Sequence, residues 1–153
     1  MSATHVNKHV RKLFEAALLA SPATILIGVD TVPVALLDRA PAGLKIPEDK
    51  LPAIYVYASG EQVRSDGLQT HERNLQIDVI LLARDGVDPR DQLDDLQLLV
   101  ETRILAASDL NALCLSVDLL GASLASDQGR VIFGARTLSY AVVFHVTASD
   151  PSV

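Results

Sequence analysis

The sequence predicts an α+β fold: a mostly antiparallel sheet of about five strands with two helices packed on one face. Three observations predict it. Two stretches space their apolar residues three or four apart, as a helix with one buried stripe requires. Several others alternate apolar and polar residues or run continuously apolar. The long alternating stretches are joined by short polar turns, the mark of hairpins and not of crossovers. The predicted order is helix, strand, strand, strand, helix, strand, strand, and residues 1–153 read as one domain with no repeat, low-complexity tract or linker to divide them.

In the first helix Val6, Val10, Leu13, Ala17 and Ala20 form the apolar stripe, and Lys8, Arg11, Lys12 and Glu15 lie opposite. It is expected to stop near Ser21-Pro22, because proline removes a donor and pushes the preceding residue out of helical geometry. Thr24 to Lys50 contains Pro33, Pro41 and Pro47 and short apolar runs such as Val34 to Leu37, and reads as an edge strand and a loop. From Ala53 to Ala58, Ile54, Val56 and Ala58 share one face while Tyr55 and Tyr57 share the other. Leu75, Ile77, Val79, Leu81 and Ala83 alternate with Asn74, Gln76 and Asp78, until Ile80 and Leu82 turn the second face apolar too. This strand should start half exposed and end covered. Ser65-Asp66-Gly67 is the turn between the two, giving a hairpin from about Ala53 to Ala83.

Asp85-Gly86 closes that strand, and Asp88-Pro89 supplies an N-cap and a proline at the first helical position. Asp91, Asp94 and Asp95 follow near the positive end of the helix dipole, and the second helix is expected to run to about Ala107. Leu113 to Leu120 and Val131 to Thr147 read as two strands around the polar turn Asp127-Gln128-Gly129.

Composition excludes several classes. With 13 Lys plus Arg against 19 Asp plus Glu, a net charge of -6 is the wrong sign for coating nucleic acid. Aromatics make up 4% and Trp is lacking, so stacking platforms for single strands have little to be built from. A content of 49% hydrophobic residues predicts a folded chain. The lone Cys114 allows no intramolecular disulfide and fits a reducing compartment. Glu15 and Ser21-Pro22 bound an apolar run too short for a secretory signal core, and Asp30, Asp38 and Asp78 interrupt every stretch that might span a membrane.

Chemistry-bearing patterns each lack a partner. His5 and His9 are four apart, as a helical zinc pair would be, but no third ligand stands near and Lys8 and Lys12 flank them. His71-Glu72 is followed at position 75 by Leu where a zinc protease needs its second His. Asp85, Asp88, Asp91, Asp94 and Asp95 do not follow calcium-loop spacing and read better as helix capping. The glycine signatures of dinucleotide sites, P-loops and serine hydrolases do not occur. Cys114 sits in an apolar run with no partner base, and His145 lies within the last strand on its less apolar face. No enzyme activity and no cofactor is expected.

One feature is unusual for a monomer. Leu93, Leu96, Val100, Ile104 and Ala107 form the core stripe of the second helix, yet Leu98 and Leu105 fall among Asp91, Asp94, Glu101 and Thr102 on its polar side. A second apolar stripe needs a second surface, and a partner subunit would supply one.

Four stretches taken together, KHVRKLFEAALLA, LPAIYVYASGEQV, RNLQIDVILLARDGVDPRDQLDDLQLLVE and RTLSYAVVFHV, resemble the tail terminator family of long-tailed phages and prophages, of the lambda-like minor tail protein U type. The resemblance spans nearly the whole chain in order and spacing. It implies a virion structural protein that assembles as a hexameric ring, caps the tail tube, ends its polymerisation and offers a surface to the head. The implied partners are further copies of the chain, the tail tube protein and head–tail connector proteins. Genomic DNA would pass through the lumen without specific binding, since an acidic lumen repels phosphate. The implied location is the virion tail, assembled in the host cytoplasm. No functional residue carries over by motif, and the proline-rich segment from Arg39 to Leu51 does not align with the pattern. The contacts expected from the residues themselves are Leu98 and Leu105, with Glu61, Arg64 and Asp66 on a hairpin arm that should become ordered on assembly. Two other readings stay open, a neck or head–tail joining protein and a small-molecule-binding regulatory domain. A ring would favour assembly, and a deep pocket with converging polar groups the ligand reading.

Because each candidate ligand lacks partners, elemental analysis of the purified protein should find no stoichiometric zinc. Metal that disappears in a His5→Ala, His9→Ala variant would overturn that expectation.

Overall fold

A computed structural model of the chain describes residues 5–20, 22–38, 50–65, 69–84, 88–127 and 130–147. The described elements are α1 (Val6–Leu18), β1 (Thr24–Ile27), β2 (Asp30–Pro33), β3 (Ala35–Leu36), β4 (Ala53–Ser65), β5 (Thr70–Leu82), α2 (Pro89–Leu105), α3 (Ser108–Leu113), β6 (Ser116–Asp127) and β7 (Arg130–Thr147). Five strands form one sheet in the order β3-β4-β5-β7-β6, antiparallel except where β3 meets β4, and β1 and β2 form a separate antiparallel ribbon. The fold is α+β, as the alternation predicts.

The period of two decides which face is buried. Leu75, Ile77, Val79 and Leu81 of β5 are at most 1% exposed. On β7 they stand opposite Val142, Tyr140, Leu138 and Arg136. Against this face α1 brings Val6, Val10 and Phe14, and α2 brings Leu93, Leu96, Val100 and Ile104. Each fully buried aliphatic side chain contributes roughly 1.5–3 kcal/mol of transfer free energy. The opposite face is polar through Asn74 and Gln76, then closes over Leu82, which packs with Ala53 and Ala135 beneath Leu37, Leu51 and Ile80. The predicted change along β5 from half exposed to covered is present. The hairpin is present as well, with β4 and β5 in register from Ala53 opposite Leu82 to Ser65 opposite His71.

Four expectations are corrected. In α1 the buried stripe passes through Phe14 and Leu18, Leu13 is half-buried and Ala20 is exposed. The Phe14 ring meets Tyr140 edge-on with centroids 5.5 Å apart, so the largest side chain takes the centre of the contact and turns the helix toward it. The helix also ends earlier, at Leu18, with the Leu19 N–H bonded to Glu15 O and Ala16 O. Between Thr24 and Leu36 there are three short strands in place of one edge strand, because Gly28 at φ +64° lets the chain reverse between β1 and β2. Residues 39–49 of the expected loop lie outside the described residues.

The last correction concerns the C-terminal end of α2. The helix stops at Leu105 and a short α3 follows, where continuous helix to Ala107 and a strand from Leu113 are predicted. The Asn111 side-chain amide donates to Ala107 O at 2.8 Å and Ile104 O at 3.1 Å, satisfying carbonyls that a helix end leaves open. Leu110, 1% exposed, then carries α3 into the core. At the other end the Asp88 side chain accepts from the Arg90 N–H at 2.9 Å, the predicted cap before Pro89. The turn residues Gln128 and Gly129 lie outside the described residues, and the strands they join pair as predicted.

Gln92 ties helix to sheet. It is 1% exposed, its Oε1 accepts from the Arg84 N–H at 2.8 Å, and its Nε2 donates to Arg84 O at 2.9 Å. Replacing it by Leu keeps the volume and leaves two backbone groups unpaired, at about 1–3 kcal/mol each before relaxation. Gln92→Leu should therefore lose roughly 2–4 kcal/mol in urea unfolding. An unchanged midpoint would mean that water reaches Arg84.

Candidate functional site

The outward side of α2 is one stripe. Asp91, Asp95, Leu98, Thr102 and Leu105 are spaced four, three, four and three apart and all are exposed, because the buried residues Gln92, Leu93, Leu96, Val100 and Ile104 take the other side. Leu98 is 66% exposed and Leu105 81%. The predicted second apolar stripe therefore faces outward, and no layer among the described residues covers it. Its N-terminal half is acidic, with Asp94 beside it bonded to Arg136 Nη1 at 2.8 Å.

The β1–β2 ribbon extends this surface. Along β1, Ile25 and Ile27 face the core and Thr24 and Leu26 face outward, and Leu26 is 59% exposed. Leu26, Leu98, Leu99 and Thr102 line an open groove of about 360 Å³ with Asp95 and Arg103 at its margins. Arg103 is held there, donating to Pro22 O at 3.1 Å and Leu18 O at 3.4 Å, so α2 is fastened to the connection that leads from α1 into the ribbon. Leu26 was not among the expected contacts. Its signal is the apolar run Ile25–Ile27, in which a period of two leaves the middle residue facing outward, hidden by reading the segment as one irregular edge.

The hairpin contacts are distributed differently. A bulge between Ala58 and Gly60 shifts the register by one residue, which turns Glu61 and Val63 to the helix side and Arg64 to the outer side. Glu61 accepts from Arg73 Nη1 and from Asn7 Nδ2, so it holds the start of α1 onto the sheet. Arg64 is exposed. Asp66 lies outside the described residues. Leu98 and Leu105 on one side and Glu61 and Arg64 on the other thus stand on different elements.

The remaining sequence candidates have local roles. His5 is the N-cap of α1, its Nδ1 accepting from the Asn7 N–H at 3.2 Å, and so does not stack one turn from His9 as a helical pair would. Glu72 and His145 face each other across β5 and β7 at 3.7 Å, on the outer face. On that face Asp78, 8% exposed, accepts from the Tyr57 hydroxyl at 3.2 Å and from Gln76 Nε2 at 3.3 Å. Burial raises the Tyr57 hydroxyl above its ordinary value, and the Asp78 carboxylate raises it further. Among the described residues no three His, Cys, Asp or Glu side chains converge as a metal site, and no helix is long and apolar enough to cross a membrane.

No family model matches the chain, and no curated protein is similar to it.

Two buried acids set an alkaline limit. Burial pushes the Cys114 thiol from 9.0 up to about 11. Burial first, then the charge of Glu101, pushes the Tyr140 hydroxyl from 10.0 up to about 12. Both are raised, so the native state holds the neutral forms; this stability is fully present below the unfolded values and is lost as pH rises through the folded ones. The urea midpoint should fall between pH 9 and 12. Cys114→Ala should flatten the part of that fall between pH 9 and 11, and a slope identical to the parent protein's would show that the thiol ionises freely.

Proposed function

We propose that the chain is the subunit of a ring that ends a phage tail tube at its head-proximal end, stops tube polymerisation and provides the surface to which the head is joined. One observation carries this reading: Leu26, Leu98 and Leu105 stand more than half exposed together on the layer formed by α2 and β1. Such a surface is costly to leave in water and useful when a second protein covers it. The resemblance of the four sequence stretches to tail terminators supplies the kind of assembly, a homohexameric ring with the tail tube protein on one side and head–tail connector proteins on the other. It also supplies the place, the virion tail, assembled in the host cytoplasm.

Charge supports the same reading. At -6 the chain offers phosphate no general attraction, so a ring of such subunits lets DNA pass without holding it. The ligand-binding reading is less well supported, because the groove beside Leu98 is open to solvent and would bury little of a small ligand.

Burying Leu98 and Leu105 fully is worth roughly 3–6 kcal/mol before association costs. Leu98→Glu with Leu105→Glu puts two charges where a contact cannot hydrate them and leaves Leu93, Leu96, Val100 and Ile104 untouched. The double variant should keep the parent's circular dichroism and run as a monomer in light scattering. An oligomer of unchanged size would remove this face from the assembly.

A further inference from the structure

The five-stranded sheet has two edges, and among the described residues both are open along most of their length. β3 covers β4 at Ala53 and Ile54, with one more bond from the Leu37 N–H to Ile54 O. Among the described residues no strand lies beside β4 on that side from Tyr57 to Ser65. At the far edge, among the described residues, β6 pairs with β7 alone, which leaves its outer side open from Ser116 to Asp127. Open edges are ordinarily guarded by proline, charged side chains, bulges or a covering element. Neither β4 nor β6 contains a proline or a lysine, and their guards are Glu61 and Arg64 on β4, Asp118 on β6 and a bulge in each strand. Beside these they carry exposed apolar side chains: Val63 on β4, Leu120 and Leu124 on β6 and Leu115 just before it are each more than half exposed.

Strand direction makes the two edges complementary. β4 and β7 run one way, and β5 and β6 the other. If an identical copy is set alongside in the same orientation, β6 of the first meets β4 of the second antiparallel. A contact between copies in one orientation is head-to-tail, and repeated about an axis it closes into a ring.

Height along the sheet matches too. Gln62, Asn74, Val143 and Ser116 form one continuous row across β4, β5, β7 and β6. Val63 and Leu115 flank that row at the two opposite edges. One extra residue also agrees: β4 bulges between Ala58 and Gly60, β6 bulges between Leu119 and Gly121 and again between Leu124 and Ser126, and Ala58 and Leu119 belong to a single row through Ile77 and Tyr140. Bulges bend a strand, so the two edges share a bend at this height.

We infer that subunits join by strand addition, the open edge of β6 pairing antiparallel with the Tyr57–Ser65 part of β4 on the next copy, so that one sheet runs on through the ring. This rests on the assembly reading above and names its seam. Main-chain bonds supply the contact, and Leu115 of one copy lies against Val63 of the next. A small stagger at each seam gives the tilt that a closed sheet needs.

The test uses the whole chain in a Cys114→Ala background, with Val63→Cys and Leu115→Cys singly and together, and a short bismaleimide whose reach of about 10 Å tolerates a slip of two residues. The double variant should give a ladder of covalent products up to the size of the ring, and neither single variant should gain mass. A second, independent variant, Leu120→Lys with Ala122→Lys, changes two exposed positions on β6 and should abolish the ring at concentrations where the parent is fully assembled, with circular dichroism unchanged. A full ring that yields no ladder and survives both lysines overturns the seam and leaves the assembly reading in place. Covalent dimers from Leu115→Cys alone also overturn it, because they mean that two β6 edges meet about a two-fold axis. A parent protein that stays monomeric at all concentrations overturns the seam together with the assembly reading.

Discussion

Burial of β5 is the constraint on which the rest of the structure depends. Every second residue from Leu75 to Leu81 is removed from water on the helix side, and at Leu82 the other side is removed as well. A strand buried on both faces at one end and on a single face at the other needs neighbours of unequal reach. β4 and β7 accompany it along its whole length, whereas β3 and the residues around Leu51 cover only the end where Ile80 and Leu82 lie. Where β5 leaves the sheet, the pair of bonds between Gln92 and Arg84 satisfies backbone that the ladder no longer pairs. That clamp also sets the position of α2, since Gln92 sits on its first turns. The stripe holding Leu98 and Leu105 points outward because Gln92, Leu93 and Leu96 point inward.

Several basic side chains tie the helix layer to the rest of the chain. Arg73 joins Glu61, Arg136 joins Asp94 and Gln97, and Arg103 reaches the carbonyls of Leu18 and Pro22. Arg136 and Arg73 are only 20% and 13% exposed at the side chain, where a paired charge is held more firmly than at the surface. The acidic side chains Asp91 and Asp95 remain on the outside of α2 beside the leucines. An apolar patch with carboxylates beside it favours a partner that brings apolar atoms and disfavours phosphate.

What could be read from the sequence, and what could not, follows from the range of the interactions. The hairpin from Ala53 to Ala83 was legible because alternation is a local signal, while Asp66 and Gly67 of its expected turn lie outside the described residues, and Asp88-Pro89 was legible because a cap is set by its own residues. The ribbon was not, since short strands flanked by Pro22 and Pro33 acquire their order from packing against α2. Nor was α3: Leu113-Cys114-Leu115 is apolar enough for a strand, and only the bonds of Asn111 to the end of α2 decide for a helical turn. Leu98 and Leu105 stood out as apolar residues on a polar face, and they are exposed as that pattern implies. Glu61 was read as a free arm residue, and its bonds to Asn7 and Arg73 depend on a bulge that the alternation cannot reveal.

Both surfaces attributed here to assembly are modest by themselves, and this bears on how a ring of such subunits would form. Roughly 3–6 kcal/mol from two leucines does not clearly exceed an association cost of about 4–15 kcal/mol. A strand edge adds about 0.5–1.5 kcal/mol net for each backbone bond, which again falls within the range of that cost. A pair of subunits joined by one seam is therefore close to balance. The subunit that closes a ring meets two neighbours but gives up its translational and rotational freedom once, so the complete ring is favoured over every open fragment of it. Assembly then depends steeply on concentration and on anything that holds several subunits side by side. Under the proposed function the end of a tail tube would be such a template, lowering the concentration at which a ring completes below the one needed in free solution.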